Sequence, residues 1–463
     1  MGIGERLSRR KSVEQLQQEA GANKQFRRVL GLWQLTAIGL GGIIGVGIFV
    51  LTGVVAATQT GPAVLLAFVL AGIASAAAAL CYAEFAGMIP VAGSAYTYGY
   101  AVLGEFAAWL LGWDLLLCYA LIVAVVAAGW SGYVQALLGA AGVSLPLWAQ
   151  GAGSGSGHMF DVMAAAVALA IALLLTVRTE WGARFNTAIV AVKIAGVLLV
   201  ILAGIAYVNP ANWHPFMPFG FHGVLTGAAV VFFAVFGYDT LTTAAEEAKD
   251  PQRDLPWAVV LSLSIAMVLY LGMSLVLTGI VPSSTLNNAA PVANAFTAIG
   301  LHWVMVVVSA AAVTGITSVL FANMLAGARI GFALSRDGLL PAWFSAVHPR
   351  YRTPHRATLI LGVVTAAAAG LFPLAVVAEV VNFGMLAAFA VICAAVIMLR
   401  RARPDLPRSF RVPCVPLVPA IGTVFSLWLI WGLPVGVWLG FTAWMGVGVL
   451  VYLGYGLRHS RLR

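Results

Sequence analysis

Of the 25 Lys and Arg residues in this chain, Lys193 is the only one that a membrane topology would place inside the lipid. The others fall in the N-terminal segment, at 178–184, 249–253, 329–356 and 400–411, and at the C-terminus. Twelve apolar stretches are read at 32–53, 62–82, 104–136, 162–179, 186–207, 223–245, 256–280, 303–334, 357–372, 376–399, 415–433 and 435–456. Apart from the uncharged-to-acidic segment 83–103, every second loop between them is basic, and the intervening loops carry no Lys or Arg. Basic loops stay on the cytoplasmic side of a membrane, so this alternation reads as the topology of a twelve-span protein with both termini cytoplasmic. The loop around Gly151–His158 then faces outward. Spans 3 and 8 run long and are expected to tilt or to project into the cytoplasm.

Composition agrees. The chain is 62% hydrophobic and 9% charged, whereas a soluble domain carries about 25% charged residues. The net charge of +9 sits in short loops beside lipid, where it suits orientation and anionic headgroups; no nucleic-acid partner is expected. The first 30 residues are polar and basic, with no apolar region of the kind a cleaved signal sequence needs. An amphipathic interfacial helix and disorder are both open readings there. Cys81, Cys118 and Cys393 lie in spans and Cys414 in a cytoplasmic loop, so no disulfide or metal site is expected. No GxxxxGK[ST] phosphate loop and no HExxH are present, and the seven histidines sit in loops or at span ends. These absences argue against an ATP-driven pump and a membrane metalloenzyme, and no cofactor is expected.

Two spans carry signs of broken helices. Span 1 holds Gly39, Gly41, Gly42, Gly45 and Gly47 within nine residues. Glycine costs about 1 kcal/mol against alanine in a helix, and a break at membrane depth survives only where the freed backbone lines a cavity or binds something. Close helix packing through Gly41 and Gly45 is the simpler alternative, but it needs fewer glycines. Span 6 reads FFAVFGYDTLTTAAEE, with Gly237 mid-span and Asp239 two residues on. Glycine-interrupted spans at corresponding places in two halves point to an inverted-repeat carrier.

The stretch GLGGIIGVGIFVLTG resembles the helix-1 motif of the amino acid–polyamine–organocation superfamily, most closely its bacterial cationic-amino-acid-transporter-like branch. YAEFAGMIPVAGSAYTYGY, ARFNTAIVAVKIAGVLLVI, FFAVFGYDTLTTAAEEAKDPQRDLP and RIGFALSRDGLLP match further motifs in order. With the hydropathy they cover the chain after residue 30.

The resemblance implies an all-α membrane protein of the leucine-transporter-like fold. Its twelve transmembrane helices comprise a 5+5 inverted repeat plus two accessory helices. The domains implied are a cytoplasmic segment 1–30, a transporter domain 31–456 and a cytoplasmic tail 457–463. Within the transporter domain, repeat one covers 31–208, repeat two covers 222–400, and the accessory helices lie in 415–456. The implied activity is secondary transport of amino acids with protons across the cell membrane. The substrate carboxylate would meet N–H groups at Ile43, Gly45, Val46 and Gly47, and its ammonium would meet carbonyls at Phe233, Ala234 and Phe236. Half-helix N-termini do favour anions, and unwound carbonyls favour cations. A side chain at Gly45 or Gly47 would fill the space the carboxylate needs. The family often reads GTGIF where this chain has Val46, so a threonine hydroxyl is absent.

Lys193 matches a helix-5 lysine whose amine, in relatives, takes the place of a sodium ion between helices 1 and 8. It would serve as a proton carrier or as a fixed charge. Snorkelling to the cytoplasm is the alternative, but Arg184 is nine residues away, about 13 Å along a helix. Asp239 reads as a helix cap or a proton relay. Asp254 reads as the cap of span 7, with Pro256 near its first turn. Glu246 and Glu247 are expected to pair with cytoplasmic arginines, Glu84 has no assigned role, and Glu379 reads as an outer-end charge. Span 3 reads GWDLLLCY, so Cys118 occupies a position that is glutamate in a common branch pattern. Asp114, four residues earlier, lies on the same face. Asp114 and Cys118 are therefore specificity candidates, as is Asn323 at the match to a size-setting methionine. Without a carboxylate at 118 the reading leans to neutral amino acids over Arg or Lys. A cationic amino acid permease and an exchanger remain alternatives.

Overall fold

The computed structural model describes Arg9, Gln15 and residues 30–91, 94–153, 157–177, 183–242, 245–346, 348 and 353–461, with the backbone alone at 177, 183–186 and 246. Most of the basic N-terminal segment lies outside the described residues. Among those described, the chain is built from helices. The first, α1 (Leu32–Ile43), stops within the membrane-spanning region. Helical structure resumes as a π-helix at Gly47–Leu51, continues through α2 (Thr52–Val55) and ends in a second π-helix, Ala56–Thr60. Then follow α3 (Val64–Met88), the short α4 (Ser94–Val102), α5 (Glu105–Ala140), α6 (Val162–Val177) and α7 (Ala183–Gly204). The second half opens with α8 (Gly220–Val235) and the four-residue α9 (Asp239–Thr242), and proceeds through α10 (Pro251–Ile280) and the short α11 (Pro291–Ala298). It continues with α12 (His302–Arg336), α13 (His355–Leu371) and α14 (Leu374–Ala402). Two further helices, α15 (Leu417–Trp431) and α16 (Val435–Val451), close the chain before a last turn, α17 (Leu457–His459).

Among the described residues, eight helical runs are long and apolar enough to cross a membrane, and four shorter apolar helices of 10–17 residues accompany them. One run, Gly47–Met88, contains the end of the expected first span and the whole of the second. Helices 5 and 12 are 36 and 35 residues long, as their sequence spans suggested. Large apolar side chains point outward at the lipid-facing positions, including Leu202, Val268, Trp431 and Leu450. That is how a helix bundle in hydrocarbon presents itself. Among the long helices, α3 packs against α10, α5 against α12, and α6 against α13.

Two expectations need correction. Part of the stretch read as a loop at 83–103 is helical: α3 runs on to Met88 and α4 begins at Ser94. The run YTYGYAV is apolar and aromatic enough to be buried as a helix. Asp254 is not the cap of its helix. That helix starts at Pro251 after the N-cap Asp250, so Asp254 lies in the first turn and Pro256 inside the helix. The Asp-Pro pair at 250–251 gives the start signal one turn earlier than the pair around Pro256.

Glu84 gains a role. Its carboxylate, 2% exposed, pairs with Arg400 and Arg408 and accepts the Val412 N–H at 2.8 Å. A buried carboxylate so satisfied ties α3 to the end of α14 and the segment after it. Glu247 pairs with Arg329 of α12 at 3.5 Å; the Glu246 side chain lies outside the described residues.

Candidate substrate and coupling site

Both expected breaks are present and they face each other. After Ile43 the backbone of Ile44 turns extended (φ −78°, ψ 103°), and helical geometry returns only near Gly47. After Val235, Phe236 is extended (φ −106°, ψ 179°), and Gly237 adopts φ +118° before α9 begins at Asp239. That positive φ is a conformation L side chains rarely adopt. The breaks meet backbone to backbone: a Cβ on Gly42 would lie 2.6 Å from the Gly237 carbonyl oxygen. A Cβ on Gly47 would lie 2.7 Å from the Ala234 Cα. Gly47 is thus a point of close helix approach rather than open space. Gly45 is roomier, its nearest neighbour being the Val319 side chain of α12 at 3.0 Å from a built Cβ.

Freed carbonyls in and beside the breaks find side-chain donors. The Lys193 amine donates to the carbonyls of Gly41 and Ile44, at 2.9 Å each. Lys193 is 0% exposed, and its stem runs past Gly315 of α12, where only a glycine leaves room. The amine therefore stands between α1 and α12 and does not snorkel. Carbonyl oxygens at the end of a helix carry partial negative charge, so a cationic amine suits them. Tyr270 donates to the Ile43 carbonyl at 2.9 Å, Tyr133 to Phe49 at 2.7 Å and Ser75 to Val235 at 2.6 Å. Asn382 of α14 donates to the carbonyls of Ala229 (2.8 Å) and Val230 (3.1 Å) in α8. The start of the helix at Gly47 leaves first-turn N–H groups without an intrahelical carbonyl, and of these Phe49 donates to the Gly45 carbonyl at 3.4 Å.

Ile43, Val46, Phe233, Ala234 and Phe236 are all buried around the breaks, and Phe233 meets Phe236 edge-on at 5.4 Å between centroids. Asn323 is buried one turn beyond Val319, whose carbonyl takes its amide at 2.9 Å. Asp239 stands at the start of α9 and accepts the Tyr119 hydroxyl at 2.6 Å. Asp114 and Cys118 are not among the nearest contacts of Gly45 or Gly47. They face Gly384 of α14, and the Cys118 thiol donates to Asp114 Oδ1 at 3.3 Å. No arginine among the described residues pairs with Asp114. Sequence reading missed Tyr270, Asn382, Ser75 and Tyr119. Each is a lone polar residue in an apolar span, a signal that intramembrane polar groups have a partner without saying which.

Residues 30–454 match the family described as Amino acid permease. The methylthioribose transporter of Bacillus subtilis is 46% identical over 457 residues, covering 98% of this chain and 99% of that protein. The branched-chain amino acid permease BcaP of the same organism is 42% identical, covering 98% of each. The vacuolar cationic amino acid transporter 4 of Arabidopsis thaliana is 37% identical over 86% of this chain and 68% of that protein.

Proposed function

This chain belongs to the amino acid permease family, and from that premise we propose that it carries neutral L-amino acids with protons by alternating access. It is a multi-pass membrane transporter and not an enzyme. The observation that carries the coupling reading is the Lys193 amine held by the Gly41 and Ile44 carbonyls at the first break. A cation bound there by the protein leaves no need for sodium, and a lysine amine can exchange its proton as access alternates. The substrate carboxylate is assigned to the N–H groups at Gly45–Gly47 and its ammonium to carbonyls of the second break. The pairing of α3 with α10, α5 with α12 and α6 with α13 supports a 5+5 inverted repeat within twelve crossings.

Uptake of labelled amino acids into proteoliposomes, with and without an inward pH gradient, tests the function. Accumulation of alanine or leucine that rises with the gradient is expected; equal uptake without it removes the proton.

Three observations favour neutral substrates. The relatives at 46% and 42% identity are named for methylthioribose and branched-chain amino acids, both without a cationic side chain. Position 118 is cysteine, and Asp114 is turned to that thiol and to α14. The relative at 37% identity keeps the cationic reading in view. Leucine and alanine are expected to compete at least about tenfold better than arginine or lysine, equivalent to about 1.4 kcal/mol. Asp114→Asn should leave that order unchanged. Should arginine compete best and Asp114→Asn abolish its preference, Asp114 is the partner of a cationic substrate.

Cytoplasmic termini and an outward loop at 151–158 follow from the charge pattern. In a cysteine-free background, single cysteines at Gly157 and Asp405 should react with impermeant reagents from opposite sides. Reaction from the same side overturns the topology.

A further inference from the structure

Four polar atoms around the second break have no hydrogen-bond partner within the protein: Asp239 Oδ1, Tyr82 Oη, Tyr98 Oη and Ser94 Oγ. Tyr82, Ser94 and Tyr98 are 0% exposed and Asp239 is 1% exposed. They come from three elements, α3, α4 and α9, so no local turn explains their convergence. Tyr82 meets Tyr98 edge-on, with ring centroids 6.0 Å apart, and Tyr98 stacks on Phe85 at 5.1 Å. Ring packing thus fixes both hydroxyls. Ser94 is the polar neighbour of Tyr82, and Thr242 that of Tyr98, yet neither pair reaches hydrogen-bond geometry. Thr242 is already committed to the Asp239 carbonyl at 2.6 Å. Of the other groups nearby, Tyr119 donates to Asp239 Oδ2, Tyr238 donates to the Ser75 carbonyl at 3.1 Å, and the backbone N–H groups of Gly237, Asp239 and Thr240 lie beside the carboxylate without reaching Oδ1 in hydrogen-bond geometry.

Buried polar atoms are nearly always paired, and when several unpaired ones converge the usual partner is an ordered water with two to four contacts. We infer that Asp239 Oδ1, Tyr82, Tyr98 and Ser94 form a buried hydration site that links Asp239 to the N-terminal end of α4. The chemistry fits water: three hydroxyls can each donate or accept, and the carboxylate oxygen accepts. Ser94 stands at the N-terminus of α4 with φ +52°, so the strained start of that helix turns its hydroxyl inward. The ionisable groups facing Asp239 are Tyr82 from α3, Tyr98 from α4, Tyr119 and Cys118 from α5, and its neighbour Tyr238. Helix α1 brings none, and Arg329 of α12 is paired with Glu247. Water at this site gives Asp239 a hydrogen-bonded exit that its Tyr119 contact does not provide.

The use of that exit for protons rests on the coupling proposed above; the occupancy of the site does not. A structure of the full chain in lipid nanodiscs, at a resolution that shows ordered water, should reveal density within hydrogen-bond distance of Asp239 Oδ1 and at least two of the three hydroxyls. A dry cluster overturns the inference. So does sodium-dependent density or sodium-dependent uptake, since the same oxygens would then be an ion site. In proteoliposomes, Tyr82→Phe/Tyr98→Phe should lower gradient-driven uptake about tenfold while leaving amino acid exchange within about twofold of the unmutated chain. Equal loss of both activities, or of neither, in a chain that does respond to the gradient rejects the exit. If the unmutated chain ignores the gradient, the coupling reading fails and the density alone decides the hydration site. Ser94→Ala, which removes one hydroxyl and no ring, replaces the double variant if that does not fold.

Discussion

Gly237→Ala is expected to abolish transport and to lower stability by about 3 kcal/mol. Two separate costs add. At φ +118° any Cβ is strained, which costs about 1–2 kcal/mol. The Cβ would also stand 2.6 Å from the Gly42 carbonyl carbon and oxygen and 2.9 Å from the Ile43 nitrogen. Those are backbone atoms of the opposite break, so the relief must come from separating the two helices, at about 1–3 kcal/mol for overpacking. Separation also moves the N–H groups after Gly45 away from the carbonyls of α8, and with them the two ends of a bound amino acid. The contrast is Gly45→Ala, whose Cβ would meet only Val319 Cγ2 at 3.0 Å. That variant should lose less than about 1 kcal/mol of stability yet weaken binding about tenfold, because the methyl group would occupy the place proposed for the carboxylate. Thermal unfolding in detergent and binding of labelled substrate separate the two effects. A Gly237→Ala protein that unfolds and transports like the unmutated chain would show that the breaks need not touch.

The glycine cluster at 39–47 and the FGYD motif made the breaks legible, because intramembrane glycine and acid are rare without cause. Lys193 was legible for the same reason, and its isolation from Arg184 already spoke against snorkelling. What the chain could not reveal is pairing across sequence distance. Tyr270 is 227 residues from Ile43, and Asn382 is 153 residues from Ala229. Nothing local marks either as a partner of a particular carbonyl. The two glycines of the first break also looked equivalent in sequence. Only the approach of α8 distinguishes Gly47, which touches Ala234, from Gly45, which does not. Asp254 was misplaced because two Asp and Pro combinations, at 250–251 and 254–256, offer the same start signal within one turn.

Lys193→Ala should eliminate gradient-driven uptake, and Lys193→Arg should fail as well. Alanine leaves the Gly41 and Ile44 carbonyls without their donor in a buried site, a penalty of about 1–3 kcal/mol for each. The break in α1 then loses the link that holds it to α7 and α12. Arginine keeps a charge, but its planar fork is bulkier than an amine, and the groove beside Gly315 is already filled by the lysine stem. It also holds its proton throughout any cycle. Uptake and exchange measured on the same proteoliposomes distinguish the outcomes. Loss of driven uptake with some exchange retained is expected for alanine. Wild-type uptake by the arginine variant would make position 193 a fixed charge and remove proton release from it. The expected failure has a mechanical basis. Protonated, the amine makes two charge-assisted bonds across the end of α1, each roughly twice as strong as a neutral one. Deprotonated, it holds the same carbonyls with neutral bonds only. A single proton on Lys193 thus changes how firmly the first half of the broken helix is tied to the rest of the bundle.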